Sequence, residues 1–264
     1  MKIHPTAIVD ARAELADDVE VGPYSVIGPE VRIGSGTRIA SHVRIDGPAV
    51  IGENNTIFHG AAIGAIPQDV GFAGERSGVR IGNGNLVREY ATIHRGTGEG
   101  TETVVGNENF LMAYSHLGHN VVVGNRCIIV NTVQIGGYAV IEDFAYISAF
   151  VPVHQFVRIG KLAMVSGSSR VNQDIPPFMM AHGYEASIIG INRVGMRRRG
   201  FSSERIDAIA EAYRIIYRQG LSVDSAVEKL KAAFPENEDI SYLVNFIANS
   251  KRGIVRKSTA ENAR

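Results

Sequence analysis

HLGHNVVVGNRCIIVNTVQIGGYAVI, residues 116–141, is the stretch whose spacing decides the fold. Every sixth residue from Leu117 is a branched aliphatic: Leu117, Val123, Ile129, Ile135 and Ile141. A period of six matches neither the turn of a helix nor the alternation of a simple strand. It matches a short flat strand and a corner, repeated. Followed outward, the count runs from Ile3 to Val171, and 26 of its 29 positions are Ile, Leu or Val. Asp69, Glu75 and Glu99 are the exceptions.

The other slots of the hexapeptide agree. The second is often glycine, as at Gly22, Gly28, Gly52, Gly106 and Gly124. The fifth is small, as at Ala61, Ala91, Ser115, Cys127 and Ala139. Slots three and four collect turn residues that tolerate a positive φ. Three such sides close a triangular coil of 18 residues, so the expected fold is a parallel β-helix with slot-one side chains stacked inside. Residues 3–176 make between nine and ten coils, a prism roughly 45 Å long at the usual strand spacing. Loops are expected at 64–80 and 96–104, where the aliphatic count fails but its register resumes. Protruding loops on a regular scaffold are where function concentrates.

After residue 178 the period ends. Helices are expected at about 203–218, capped by Ser202, at about 223–234, and at about 239–250. The tail KSTAENAR should fray. Two domains follow: a β-helix over 1–190 and a helical part over 191–264. The second carries 14 Lys/Arg against 9 Asp/Glu, the first 13 against 18. A basic C-terminal part suits an acidic partner, and equally a solvated helix face.

The chain has one cysteine, no tryptophan and 29 glycines. One cysteine excludes an internal disulfide framework and fits a reducing compartment. No signal peptide or membrane-length apolar run is evident. The expectation is a cytoplasmic protein with no membrane insertion and no nucleic-acid partner.

Residues 18 apart should stack on one edge. His119, at a corner, then lies one coil from Gly137 and two from Gln155. An exposed imidazole beside a glycine N–H and a carboxamide suits acyl transfer: base, oxyanion donor and positioner. His116 sits at a strand end, facing outward. His42 and His59 also occupy corners and carry no assigned role. A zinc site of His94, His116 and His119 is the rival reading, but His94 should not stack with the other two.

The ordered motifs IHRGT (93–97), GNRC (124–127), VHQF (153–156), QDIPP (173–177) and RRRGF (197–201) resemble those of the UDP-N-acetylglucosamine O-acyltransferases, which open lipid A biosynthesis. The resemblance spans essentially the whole chain. It implies a left-handed β-helix, a homotrimer with sites between subunits, and no cofactor. The implied reaction moves a (R)-3-hydroxyacyl chain from acyl carrier protein to the 3-hydroxyl of UDP-N-acetylglucosamine. By motif, His119 is the implied base and Gly137 the oxyanion donor. His116, His154 and Gln155 are implied positioning residues, and Gln68 and Asp69 sugar or acyl contacts. Asn192, Arg198 and Arg199 are implied nucleotide and phosphate contacts, and Gly167 occupies the position that sets acyl length.

Three departures stand out. Asn120 follows His119 where the family usually has aspartate, Gly71 replaces a lysine, and Tyr138 replaces a histidine. Tyr138 should stack directly above Asn120, so the two changes are expected to compensate each other. Acylation of a 3-amino sugar, or an idle β-helix serving as a binding module, are the alternatives these departures raise.

Overall fold

The computed structural model describes residues 1–256. The chain winds as a left-handed parallel β-helix with helices at its C-terminal end. Three sheets of eleven, eight and eight strands form the faces of a triangular prism. The first contains Ile128–Ile129, Tyr146–Ile147 and Met164–Val165; the second Thr92–His94, His116–Leu117 and Gln134–Ile135; the third Val122–Val123 and Val140–Ile141. Slot-one aliphatics fill the prism: Leu111, Leu117, Ile129, Ile135, Ile141 and Ile147 are at most 1% exposed. Fully burying each such side chain contributes about 1.5–3 kcal/mol.

Fifth-slot residues also point inward. Along one corner Thr37, Asn55, Asn85, Asn109 and Cys127 form a buried polar column. Asn85 N donates to Asn55 Oδ1, Asn109 N to Asn85 Oδ1, and Cys127 N to Asn109 Oδ1. Each side chain satisfies a backbone N–H of the next coil that the corner leaves unpaired. Burial pushes the Cys127 thiol up to about 12, so it packs as a neutral side chain.

The fourth slot departs from the expected composition. Its φ is positive at Tyr24, His42, Tyr90, Tyr114, Asn120, Tyr138, Phe144 and Phe156, not only at glycine and asparagine. The corner imposes this conformation. Its cost is offset by an N–H bond to the previous coil, as in Tyr138 N to His119 O and Phe156 N to Gly137 O. Long side chains are thereby held outward along the prism edges.

Both loops are shorter than expected, because their flanking strands Ala62–Ala65, Gly78–Ile81 and Glu102–Val105 extend to four residues. They also change the stacking rule. Partners lie 30 residues apart across the first loop (Ala62 with Thr92) and 24 across the second (Thr92 with His116). Before and after them the 18-residue step holds, as for Ile8 with Val26 and His116 with Gln134.

The first sheet ends in an antiparallel hairpin, Met179–His182 with Ser187–Ile191, which the hexapeptide count did not predict. Four helices follow: α1 Arg193–Arg198, α2 Ser203–Arg218, α3 Val223–Ala233 and α4 Glu238–Ala248. The last three match the expected helices within two residues or less, and Ser202 accepts from Arg205 N at the start of α2. The short α1 was missed because Met196 is its one buried residue, too little to show a period. Residues 257–264, expected to fray, lie outside the described part. Among the described residues no helix is long and apolar enough to cross a membrane.

Candidate active site

His119 follows the strand His116–Leu117, at the corner between the second and third sheets. Its side chain is only 12% exposed, not the open imidazole expected. Two neighbours explain the difference. The Tyr138 ring meets the imidazole edge-on, with centroids 5.1 Å apart. The loop 66–77 folds over it and brings Asp69 Oδ2 to 3.9 Å from Nε2.

The tautomer follows from the hydrogen bonds. Thr97 N, which can only donate, bonds to Asn120 Oδ1 at 2.8 Å. That identifies the atom as the carbonyl oxygen of the amide. The same oxygen lies 2.9 Å from His119 Nδ1, so Nδ1 carries the proton. Nε2 is left with a free lone pair. It faces Gly137 so closely that a Cβ there would fall 2.6 Å from Cε1 of the ring. Among the described residues the Gly137 N–H has no acceptor.

Gln68, His94, His116, His119, Gly137 and Gln155 line one cavity of about 290 Å³, together with Gln134 and Pro152. The expectation that His94 stands apart is corrected. The second loop shifts the register to 24 residues, and the His94 and His116 rings pack edge to face 4.7 Å apart. Among the described residues no group of three His, Cys, Asp or Glu side chains is arranged to hold a metal ion. Tyr138 does occupy the coil position beside Asn120. Its ring, however, packs on His119 and lies flat on Phe156 at 4.9 Å, and no hydrogen bond joins it to Asn120. His154 is exposed, with Nδ1 3.1 Å from Gln155 O, and does not line the cavity.

His116 faces outward from the prism as expected, opposite the buried Leu117, but it is partly buried. Its Nδ1 lies 2.7 Å from Thr92 Oγ1. Burial, helped by repulsion from His94, lowers its pKa to about 4 from 6.5. Burial also lowers that of His94, with repulsion from His119 second. Both rings are therefore neutral at pH 7. Between pH 6.5 and about 4 the unfolded chain binds a proton at position 116 that the folded chain does not. Stability is thus full above the upper value and lost as pH falls through the window, by about 3 kcal/mol for His116. Urea unfolding at pH 7 and 4.5 is expected to lose markedly less stability in His116→Gln than in the parent. An equal loss in both would contradict the burial argument.

The remaining residues singled out from sequence are elsewhere. Asn192, Arg198 and Arg199 line a groove of about 600 Å³ against the first sheet, with Tyr146, Met164 and Met180 at its floor. Arg199 lies over the Phe144 ring at 4.4 Å. Arg126 at the groove's rim is paired with Glu108 at 2.9 Å. Asn192 is largely committed to structure: Oδ1 caps α1 through Gly195 N, and Nδ2 donates to Leu162 O. Gly167 belongs to neither cavity, and a Cβ there would meet Ala149 O at 3.3 Å. Sequence reasoning passed over Thr92, Thr97 and Gln134. His94 was visible in the motif IHRGT, but its place depended on the loop register.

Comparison with known proteins agrees with this architecture. The profile described as Udp N-acetylglucosamine O-acyltransferase, Domain 2, matches residues 174–255. That of the bacterial transferase hexapeptide (six repeats) matches 12–47 and 102–137. The chain is 47% identical over 257 residues to the acyl-(acyl-carrier-protein)–UDP-N-acetylglucosamine O-acyltransferase of Thermodesulfovibrio yellowstonii, covering 97% of this chain and 99% of the relative. The enzyme so named from Halorhodospira halophila is also 47% identical, with coverage of 97% and 99%. A solved UDP-N-acetylglucosamine acyltransferase from Bacteroides fragilis superposes with a TM-score of 0.94 at 45% identity, covering 96% of this chain and 99% of that one. The Francisella novicida enzyme gives 0.95 at 41%, with coverage of 98% and 96%. With this identity over nearly its whole length, the chain belongs to the UDP-N-acetylglucosamine O-acyltransferase family.

Proposed function

We propose that the protein transfers a (R)-3-hydroxyacyl group from acyl carrier protein to the 3-hydroxyl of UDP-N-acetylglucosamine, the first step of lipid A biosynthesis, in the cytoplasm. The observation that carries this reading is the pairing of a bare His119 Nε2 with the unpartnered Gly137 N–H across one small cavity. The sugar hydroxyl oxygen attacks the thioester carbonyl while Nε2 takes its proton. Charge gathering on the carbonyl oxygen is met by the Gly137 N–H. The carbonyl re-forms, the C–S bond breaks, and the imidazolium returns its proton to the leaving thiolate. The products are the O-acyl sugar nucleotide and the free carrier-protein thiol. Neutral His116 and the Gln155 carboxamide position the sugar without competing for its proton. Asp69 and Gln68 reach the acceptor from the loop above, and His154 is exposed beside Gln155.

A homotrimer completes the site. The His119 cavity lies against the second sheet and the Arg198–Arg199 groove against the first, so one chain presents them on different faces. The edge between those faces carries a ladder of rings, Tyr24, His42, His59, Tyr90 and Tyr114, with successive centroids 5.1–5.2 Å apart. Tyr24, Tyr90 and Tyr114 are 60%, 43% and 56% exposed, an apolar stripe that association would cover. Three copies meeting along this edge set the first face of one against the second face of the next, a closed ring. Each cleft then holds one base and the arginines of a neighbour, which suit a diphosphate or the acidic carrier protein. Gly167 occupies the position that sets acyl length, and its lack of a side chain admits a longer chain.

The test is turnover by purified protein with 3-hydroxyacyl carrier proteins of several lengths, offering UDP-N-acetylglucosamine and its 3-amino analogue separately. Ester formation supports the reading. Turnover of the amine alone, or binding of both sugars without turnover, would overturn it.

A further inference from the structure

We propose that Asp69 is the counter-charge of the His119 imidazolium, a role that goes beyond holding the sugar and rests on His119 acting as the base. When Nε2 takes a proton the ring becomes a cation inside a partly closed cavity. The group bonded to its other nitrogen is the Asn120 amide, which is neutral and already shared with Thr97 N. Asn120 fixes the ring and its tautomer but supplies no charge.

One carboxylate within 4 Å remedies this. Asp69 Oδ2 lies 3.9 Å from Nε2, and the two side chains are 27% and 12% exposed. That separation is too long for a direct hydrogen bond. It is short for two charges screened by little water, and it leaves space for the acceptor hydroxyl between them. The carboxylate is held in this attitude by its own loop. Oδ1 accepts from Gly71 N at 2.9 Å, and the Asp69 carbonyl accepts from Phe72 N at 3.1 Å. Oδ2 is thereby turned toward the ring.

The two loops that interrupt the hexapeptide count therefore serve one imidazole. The first brings the negative charge to Nε2. The second brings Thr97 N, which orients the amide at Nδ1. They are tied together by Arg76 N to Glu99 Oε2 and Gly98 N to Glu75 Oε1. The other titratable groups facing the ring are Tyr138, edge-on, and His94, with His116 packed behind His94. None of them is anionic at neutral pH, and a protonated His94 would repel the imidazolium.

The first experiment is an NMR titration of ring-labelled His119 in the ligand-free protein, in the parent and in Asp69→Asn, which keeps the Gly71 contact. The carboxylate favours the charged ring, so its removal is expected to move the His119 midpoint to lower pH. An unchanged midpoint would overturn the proposal. This readout needs no turnover, so it stands apart from any failure of the acyltransfer reading. In the active enzyme, Asp69→Asn is expected to lower kcat by roughly 10–100-fold, with the KM for the sugar nucleotide changing less than about threefold. The acidic limb of kcat/KM should follow the midpoint to lower pH. Adding Asn120→Asp, which places a carboxylate on Nδ1 instead, is expected to raise the midpoint again and restore kcat to within about tenfold. A raised KM with unchanged kcat, and no rescue, would reduce Asp69 to a sugar contact.

Discussion

His119→Ala is expected to lower kcat/KM by about 10³-fold while the protein keeps its fold and its affinity for the sugar nucleotide. General-base assistance is worth roughly 10²–10⁴ in rate, so the loss corresponds to about 4 kcal/mol of barrier. The side chain is a corner residue, not part of the stacked interior. Its removal forfeits the Tyr138 edge contact and one hydrogen bond, with Asn120. Unfolding free energy should change by no more than about 1 kcal/mol. Steady-state kinetics with a urea melt checks both halves. Full activity in a folded variant would remove the base from the mechanism. It would also favour an inert β-helix that only binds sugar nucleotide.

Gly137→Ala is expected to be nearly as damaging, for a geometric reason. Gly137 does not adopt a positive φ, so the backbone accepts a side chain without strain of its own. The obstacle is the imidazole. A Cβ would stand 2.6 Å from Cε1 and 3.0 Å from Cδ2 of His119, so the ring must swing away. That movement breaks the Nδ1 bond to Asn120 and misplaces Nε2, and displacement of about 1 Å at a reacting atom can cost about 10²-fold. The expected result is a fall in kcat of about that size with little change in melting temperature. A crystal structure of the variant should show the ring rotated from the Asn120 amide. A variant with parental kcat would mean that Nε2 works from some other position.

The C-terminal part illustrates which signals a sequence carries. The helices α2, α3 and α4 were legible because each has an apolar face long enough to show its period, and α2 a serine cap as well. The hairpin at 179–191 was not, because its strands neither keep the hexapeptide step nor form an independent sheet. The first of them completes the first sheet by pairing with Met164–Val165, and the second folds back on it. Asn192 illustrates a different limit. The family resemblance implies ligand contact there, whereas its amide caps α1 and holds Leu162 O.

The period of six by itself determined the scaffold. A hexapeptide can bury one aliphatic per side only by stacking coils, and that fixes which residues face inward, which occupy corners, and that His119 lies beside Gly137. Tertiary structure alone decided the rest of the site. The convergence of His94 with His116 and the approach of Asp69 to Nε2 depend on how the two inserted loops fold, and the arginine groove is placed by the hairpin and α1 against the first sheet. The physical reason is that strand register counts every residue in a coil, loop included. The side-chain period records only those that enter the stack. A loop's path is set by bonds such as Thr97 N to Asn120 and Gly98 N to Glu75, between residues 23 apart in the chain. No periodicity announces those contacts, and they carry the charge and the proton to their places.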